Sequence, residues 1–282
     1  VAIWLPAVIW VARSKVSSAR AWPMSMSPAI SMVCTGSANC SKRNRLLAAL
    51  REAHPDVEFE SCAGGGGRAD LGILALTDRI WTSDCIDPLE RQLIEASTGL
   101  MIPPEMMGSH IASPHSHTTG RRHDLSFRAA TAMFGHLGVE WDLTSASEDD
   151  LAELATWIAA YKEHRALLHG GVSLRVDDPD PALRVHGVIA TDGSEAIIAV
   201  VQLATGVTAP PGRVRIPGLD PARIYTVRPL APGNNPGPRR GLEIPAWWAD
   251  GVELTGKTLA TVGIQAPNQL PEHTVLLHLT AL

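Results

Sequence analysis

The chain has 282 residues, of which 45% are hydrophobic and 19% charged, so it is long enough for one large domain or two ordinary ones, and wholesale disorder is excluded. Its longest apolar stretch, residues 1–12, is far shorter than the roughly 18 residues that cross a bilayer, which predicts no membrane span. Four cysteines in a chain of this size indicate no disulfide framework and favour a reducing, cytoplasmic location.

The net charge of −5 is distributed unevenly along the chain. Residues 1–45 contain six Lys or Arg and no acidic residue, which leaves 18 basic against 29 acidic residues, a net of −11, on the remainder. A surface of this sign would repel a phosphate backbone, so we expect no nucleic-acid partner.

Residues 1–45 show neither a helical nor an alternating apolar period. We predict that this segment is disordered, does not pack on the rest, and is out-of-frame or misassigned translation in place of a native sequence. Two alternatives stay open. The basic, Ser-rich composition fits a transit peptide, and the segment could also be an ordinary irregular extension.

From Leu46 onward the pattern alternates between helix and strand. A short helix is predicted from Leu46 to just before His54-Pro55, and Val57–Cys62 alternates as a strand that leads into Gly64–Gly67. Further predicted elements are a strand ending at Trp81, a helix over Pro88–Glu95, a strand over Met106–Ile111, a helix from about Asp124 to His136, and a long helix from Ser147 to about His169. This alternation predicts an α/β domain over residues 46–170.

After Gly170-Gly171 the predicted elements are short strands separated by Pro, Gly and Asp turns, with no helical period between them. They cover Val172–Val176, Leu183–Ala190, Ala196–Leu203, Arg213–Ile216, Ile224–Arg228 and Thr274–Leu279. Residues 171–282 are therefore predicted to form an antiparallel β-sandwich, with the Pro-rich stretch Ala231–Pro245 as a surface loop.

The four glycines Gly64–Gly67 allow three interpretations. A nucleotide-binding loop would end in Gly-Lys-Ser or Gly-Lys-Thr, whereas Arg68 follows here, so a phosphate site is disfavoured. The glycines could form a flexible turn between strand and helix. They could also let a ligand approach the backbone closely, which is the interpretation we favour.

Four histidines, His110, His115, His117 and His123, lie close together in the sequence and raise the question of a metal site. They fall in a stretch rich in Pro, Ser and Thr, with no Glu, Asp or Cys at helical spacing among them. We therefore predict polar loop residues and no metal site.

Ser83, Asp84 and Asp87 are the more informative group. A carboxylate at the carboxyl end of a barrel strand faces the side where such folds place their chemistry. Asp84 taken alone also fits a helix N-cap, because Asp and Ser are preferred caps and a helix begins nearby.

Two stretches of the chain resemble the α-galactosidases of glycoside hydrolase family 36. Residues 60–72 contain the pattern Cys-x-x-Gly-Gly-Gly-Arg-x-Asp-x-Gly, and residues 81–87 contain Trp-x-Ser-Asp-x-x-Asp, followed by Glu90-Arg91. The segments Gly108-Ser109-His110 and Phe134-Gly135-His136 also match, so the resemblance covers about residues 46–282.

The resemblance implies a role for each residue of these stretches. Asp84 is implied to be the general acid/base, and Cys62, Ala63, Gly64 and Gly65 are implied to line the galactose pocket together with Asp84. Arg68, Asp70 and Trp81 are implied to support the pocket. A general acid must keep its proton near neutrality, which burial beside Trp81 would favour, whereas Asp87 is expected to cap or orient rather than react. No cofactor is expected, because two carboxyl groups perform the whole reaction.

The sequence departs from the family at the nucleophile. The family carries it as Asp in a Lys-Trp-Asp motif upstream of the glycine-rich stretch, and this chain contains no such tripeptide. Trp141-Asp142 lies downstream, and we interpret it as structural. A complete (β/α)8 barrel takes about 250 residues, so residues 46–170 offer about four βα units. The predicted fold is thus the C-terminal half of a TIM barrel followed by an antiparallel β-sandwich domain.

The sequence therefore predicts a piece of a retaining α-galactosidase that removes terminal α-D-galactose from sugars such as melibiose or raffinose. We expect the piece to be inactive alone and the full-length enzyme to be capable of forming a homo-oligomer. The alternative is a non-catalytic carbohydrate-binding or structural remnant. An α-N-acetylgalactosaminidase or a galactosyl-transferring relative would share the same acid.

Overall fold

A computed structural model describes residues 9–13, 37–62, 69–177, 180–208, 211–233 and 244–282. The described elements, in chain order, are β1 (Ile9–Arg13), α1 (Ser37–Ala53), β2 (Val57–Ser61), α2 (Leu71–Leu74), β3 (Arg79–Trp81), α3 (Pro88–Thr98), β4 (Met107–Ala112), α4 (Leu125–Ala132), β5 (His136–Glu140), α5 (Glu148–Gly170), β6 (Val172–Val176), β7 (Leu183–Ile189), β8 (Glu195–Gln202), β9 (Arg213–Val214), β10 (Ile224–Pro229), α6 (Trp247–Asp250), β11 (Val252–Thr255), α7 (Gly256–Thr261), β12 (Ile264–Gln265) and β13 (His273–Ala281).

The first sheet has the strand order β1-β2-β3-β4-β5. Strands β2 to β5 are parallel, and helices lie between consecutive strands in the chain, as in a βα barrel. β1 pairs antiparallel with β2 along its edge. The four parallel strands confirm the predicted half of a (β/α)8 barrel.

The second sheet contains six antiparallel strands in the order β11-β10-β13-β8-β7-β6, and a two-stranded sheet is formed by β9 and β12. β8 is almost wholly buried, because both of its faces are covered. Ile198 and Val200 pack into a core with β9, β10, β12 and β13, whereas Ile197 and Val201 on the opposite face pack against residues of α4 and α5. The six-stranded sheet is thus the shared wall between the C-terminal domain and the half barrel.

Several elements differ from the sequence prediction, which continued the helix α4 to about His136 and contained no strand at the positions of β5, β11 and β12. Helix α1 begins at Ser37 rather than Leu46, so the predicted boundary at residue 45 falls inside a helix; the segment 37–53 contains no Pro or Gly that would interrupt it. The C-terminal half contains α6 and α7, although no helix was predicted there. Both are too short to leave a helical period in the sequence.

The predictions for residues 1–45 and for Ala231–Pro245 fall largely outside the described residues. Within the first of these segments, only β1 and the start of α1 are described. β1 pairs with β2, so the prediction that the segment does not pack on the rest is wrong for residues 9–13, whereas the idea of a foreign N-terminal segment stays a prediction. Among the described helices, none combines the length and apolar character needed to cross a membrane.

Candidate active site

Two of the predicted pocket residues meet where neighbouring parallel strands end. Cys62 follows β2 and Asp84 follows β3, and the carboxyl ends of parallel strands share one edge of the sheet. The thiol Sγ of Cys62 lies 3.8 Å from Oδ1 of Asp84. The sheet topology therefore brings together two residues that are 22 positions apart in the sequence.

Asp84 lies in a bend between β3 and α3, and its side chain is exposed. Asp84 is therefore not buried beside Trp81 in the described structure, contrary to the expectation. The N-cap of α3 is Asp87, whose Oδ1 accepts hydrogen bonds from the backbone N–H groups of Leu89 (2.9 Å) and Glu90 (3.4 Å). This geometry removes the alternative that Asp84 caps this helix.

Arg91 holds the segment that carries Asp84. Its guanidinium donates to the hydroxyl of Thr82 (2.8 Å) and to the backbone carbonyl of Ser83 (3.1 Å). Arg91 is 2% exposed, and Glu95 lies 3.6 Å away as its counter-ion on the same helix. Ser83 adds a turn contact, because its hydroxyl accepts from the N–H of Cys85 (3.1 Å). The backbone on the amino-terminal side of Asp84 is thus fixed by α3.

Trp81 lies between a cation and an imidazole at the end of β3. The guanidinium carbon of Arg91 is 4.2 Å from the centre of the Trp81 ring, and the ring of His110 stacks on it at 4.1 Å. Nδ1 of His110 lies 3.1 Å from a carboxylate oxygen of Glu140 on β5. The predicted supporting residue Trp81 is therefore 7% exposed and held by β4, β5 and α3.

Asp87 connects α3 to the loop that follows β4. Its Oδ2 accepts from the hydroxyl of Thr119 and from the guanidinium of Arg121 (3.0 Å), and His123 lies 3.9 Å from its Oδ1. Burial opposes ionisation, but the hydrogen bonds from Thr119 and Leu89 outweigh it and lower the pKa of Asp87 below its usual value. Asp87 thus caps α3 and orients the loop around the candidate site, as expected for a capping or orienting residue.

The remaining predicted residues are placed as follows. Asp70 caps the short helix α2, where its side chain accepts from the N–H of Ile73 (3.1 Å). Ala63, Gly64, Gly65 and Arg68 lie outside the described residues. Asp142 is exposed and caps a 3₁₀ turn, accepting from the hydroxyl and N–H of Thr144, which lower its pKa.

The four histidines considered for a metal site have separate surroundings. His110 stacks on Trp81, and His123 is buried beside Asp87, whereas His115 and His117 are exposed. In the described ranges, three metal-binding side chains converge in one place only, and none of these four histidines is part of it.

From the sequence, Arg91 was identified only as part of the resemblance, without a role, and Glu95 was not singled out. Burial raises the pKa of the Glu95 carboxyl, although Arg91 and a hydrogen bond from Ser109 (2.6 Å) oppose the shift. A signal did exist: Arg91 and Glu95 are spaced i, i+4, and this spacing places both on one face of a helix. Pattern alone could not show that this face is buried.

Comparisons with known proteins found two matching family models and several relatives. A family model described as melibiase matches residues 39–171, and one described as glycosyl hydrolase family 36 C-terminal domain matches residues 184–279. An α-galactosidase from Escherichia coli is 41% identical over 239 residues, covering 83% of this chain and 34% of the relative. α-Galactosidase C from Emericella nidulans is 39% identical over 188 residues, covering 65% of this chain and 24% of the relative.

Solved structures give the same result. The α-galactosidase from Lactobacillus brevis superposes with a TM-score of 0.73 at 33% identity, covering 84% of this chain and 31% of that one. A variant of α-galactosidase AgaA from Geobacillus stearothermophilus, solved in complex with raffinose, superposes with a TM-score of 0.72 at 28% identity, covering 84% and 30% of the two chains. The chain thus spans about a third of the length of the relatives it matches.

Proposed function

The chain belongs to glycoside hydrolase family 36, and we therefore propose that it carries the general acid/base residue of a retaining α-galactosidase active site. In this proposal Asp84 protonates the leaving glycosidic oxygen and later activates the water that releases the sugar. The substrate is a small molecule with a terminal α-D-galactose, such as melibiose or raffinose. The relative solved with raffinose supports this substrate class.

The observation that carries the proposal is the position of Asp84. Its carboxylate stands free of the α3 cap, next to Cys62, at the edge of the sheet where barrel enzymes place their chemistry. Arg91 fixes the preceding two residues, which limits the directions in which the carboxylate can point. Such pre-organisation of an acid increases the reaction rate because less conformational entropy is lost on reaching the transition state.

The reaction needs a second carboxylate about 5 to 5.5 Å from the acid, which attacks the anomeric carbon and forms a covalent glycosyl intermediate. This chain has no Lys-Trp-Asp motif to supply it. We therefore propose that the nucleophile comes from barrel strands outside this sequence and that the chain alone is inactive.

A non-catalytic carbohydrate-binding remnant is the alternative function, and the missing Lys-Trp-Asp motif favours it for the chain taken alone. In that case Cys62 and the glycine-rich loop contact sugar without hydrolysis. An α-N-acetylgalactosaminidase or a galactosyl-transferring activity would use the same acid and differ in the pocket.

We also propose a cytoplasmic location, supported by the low cysteine content of the chain, four in 282 residues. A homo-oligomer of the full-length enzyme is part of the same proposal.

The first test uses the chain as it stands with an aryl α-galactoside. We expect no turnover above buffer, because an acid without its partner carboxylate forms no covalent intermediate. Turnover that survives in Asp84→Ala but disappears in Asp142→Ala would identify another nucleophile and contradict the assignment of Asp142 as a capping residue.

The second test restores the barrel by joining residues 39–282 to the preceding two thirds of the Escherichia coli relative. In this chimera, Asp84→Ala should slow hydrolysis of raffinose by about 10²-fold or more, because a natural leaving group needs protonation. The loss on an aryl galactoside with a good leaving group should be much smaller. Equal losses on both substrates would remove Asp84 from the acid role and leave the carbohydrate-binding alternative.

A further inference from the structure

Three potential metal ligands from three different elements converge at the contact between α5 and the six-stranded sheet. They are His164 on α5, Glu195 at the start of β8 and His278 on β13. Nε2 of His278 lies 2.6 Å from Oε1 of Glu195, and Nδ1 of His164 lies 3.8 Å from the same oxygen. The three ligand atoms all lie within 4.8 Å of one another.

The sheet register places two of these ligands on one face. Glu195 is opposite Thr280, so His278, two residues before Thr280, projects from the same side of the sheet. This is also the side on which Ile197 and Leu276 pack against α5. The sheet contact between β8 and β13 therefore fixes the separation of Glu195 and His278.

Helix α5 supplies the third ligand, His164. Tyr161, His164 and Leu168 are spaced i, i+3 and i+7, and all three are buried on the face of α5 that meets the sheet. The rings of His164 and His278 lie 5.2 Å apart, edge to face. His164 thus faces the carboxylate from the helix side.

From this geometry we propose that His164, Glu195 and His278 form a binding site for one divalent transition-metal ion, with Zn²⁺ the favoured occupant. Two imidazole nitrogens and one carboxylate oxygen are ligands that Zn²⁺ takes in proteins, with water in the fourth position. The side chains of Glu195 and His278 are partly exposed, which gives the ion a path of entry.

The fit requires a small rearrangement. Zn²⁺ bonds of about 2.0 Å in a tetrahedron separate neighbouring ligand atoms by about 3.3 Å. The ion would therefore break the hydrogen bond between His278 and Glu195 and open their 2.6 Å contact by about 0.7 Å, which a rotation of the partly exposed Glu195 side chain supplies. His164, already 3.8 Å from this oxygen, has to move little.

This proposal departs from the sequence expectation of no metal site, because the three ligands are distant in the sequence and have no motif spacing. It does not depend on the proposed glycosidase function. None of the three ligands is among the residues described around Asp84, so binding of the ion and turnover of galactosides can be measured separately. The competing interpretation is a metal-free hydrogen-bonded cluster that joins α5 to the sheet.

The test is calorimetric titration of the EDTA-treated full chain with Zn²⁺ at about pH 7.5, where imidazole is neutral. We expect one ion per chain with a micromolar dissociation constant, weakened at least about tenfold in His278→Gln and in Glu195→Gln. His273→Gln is the matched control, because His273 lies on the same strand with similar side-chain exposure (29% against 27%) but outside the cluster. Its binding should equal that of the unaltered chain.

Two further measurements guard against misfolding and against binding by cysteine. Circular dichroism must show that each variant keeps the fold, and Zn²⁺ should raise the melting temperature of the unaltered chain and of His273→Gln but not of His278→Gln. The Co²⁺ complex should show tetrahedral d–d absorption without a thiolate charge-transfer band. Absence of one-to-one binding, or equal binding by folded His278→Gln and Glu195→Gln, would leave the metal-free cluster and overturn the proposal.

Discussion

Arg91 is the residue on which the geometry around Asp84 depends most. It links α3 to the end of β3 through two hydrogen bonds, covers the face of Trp81 and neutralises the buried Glu95. The Arg91 guanidinium can be buried because its hydrogen bonds and its ion pair offset the free-energy cost of removing it from water. Its removal therefore affects the loop and the ion pair together.

We predict that Arg91→Met lowers the free energy of unfolding by about 3 kcal/mol, because Glu95 loses its counter-ion and the segment Thr82–Ser83 loses two donors. Arg91→Lys should lower the free energy of unfolding less, because lysine keeps the positive charge but cannot make both hydrogen bonds, to Thr82 and to Ser83. Urea unfolding measures both effects. Arg165→Met, at an exposed position of α5, should stay within about 0.5 kcal/mol of the unaltered chain. A similar small change for Arg91→Met would show that the buried contacts are not stabilising.

The sequence located a carboxylate at the start of α3 but did not decide between Asp84 and Asp87. Pro88 was the available signal, because Pro is favoured at the first helical position and the residue before it is then the N-cap. The long-range partners of Asp87, Thr119 and Arg121, could not be predicted, because they come from a loop that follows a different strand. The exposure of Asp84 could not be predicted either, since it depends on what covers the edge of the sheet.

At the scale of elements, two helices begin with different kinds of cap. Asp87 at the start of α3 is fully buried and bound to a distant loop, whereas Ser147 at the start of α5 forms a local, exposed capping box with Asp150. The helix start predicted at Ser147 is confirmed, and the Asp150 that follows three residues later has the spacing typical of a capping box. A helix cap formed by neighbouring residues of the same helix can be predicted from sequence, whereas a cap that also binds a distant element cannot.

The two caps should contribute different amounts to the free energy of unfolding. Ser147→Ala should cost about 1 kcal/mol, the usual value for an exposed N-cap. Asp87→Ala should cost about 3 kcal/mol, because the charged hydrogen bonds to Thr119 and Arg121 are lost as well. Asp87→Asn keeps the cap acceptor and should fall between them. Equal losses for the two alanine variants, measured by chemical denaturation, would contradict the linking role of Asp87.

Six strands of the C-terminal half were predicted to within about two residues, because each has an apolar run bounded by turn residues, whereas β11 and β12 were not predicted. The helices α6 and α7 were missed for a physical reason. A helix of four or six residues is not stable by itself, and α7 exists because Leu259 is buried in the core of the sandwich. Its stability comes from packing that no local pattern encodes.

At the scale of the whole molecule, each of the two large sheets carries a histidine whose surroundings disfavour protonation, His136 on β5 of the first sheet and His186 on β7 of the second. Burial, with help from the charges of Arg79 and His169, lowers the pKa of His136 to about 4. Burial also holds the pKa of His186 on β7 well below its usual value. Both rings are therefore neutral in the folded protein at pH 7 and would have to be protonated inside it at low pH.

The sign of the pH dependence follows from these shifts. A histidine with a depressed pKa stabilises the fold above its unfolded value of about 6.5, and this stability is lost as the pH falls through the folded value. We predict that the free energy of unfolding decreases between about pH 6.5 and pH 4, by on the order of 2 kcal/mol for His136, which solvent partly screens. His136→Gln should flatten this dependence, and His54→Gln, at an exposed position, should not. A pH profile unchanged by His136→Gln would contradict the prediction.

The position of β13 has a consequence for biosynthesis. β13 is a central strand that pairs with β8 on one side and β10 on the other, although it comes last in the described chain. While residues 273–281 are still inside the ribosome, the emerging β8 has an unpaired edge of backbone donors and acceptors, and its pairing partner is more than 70 residues away. Closing so long a loop is slow, and open edges invite wrong pairing. The nascent protein therefore passes through an exposed interval that ends only when β13 has emerged, and this interval is when a chaperone would be needed most.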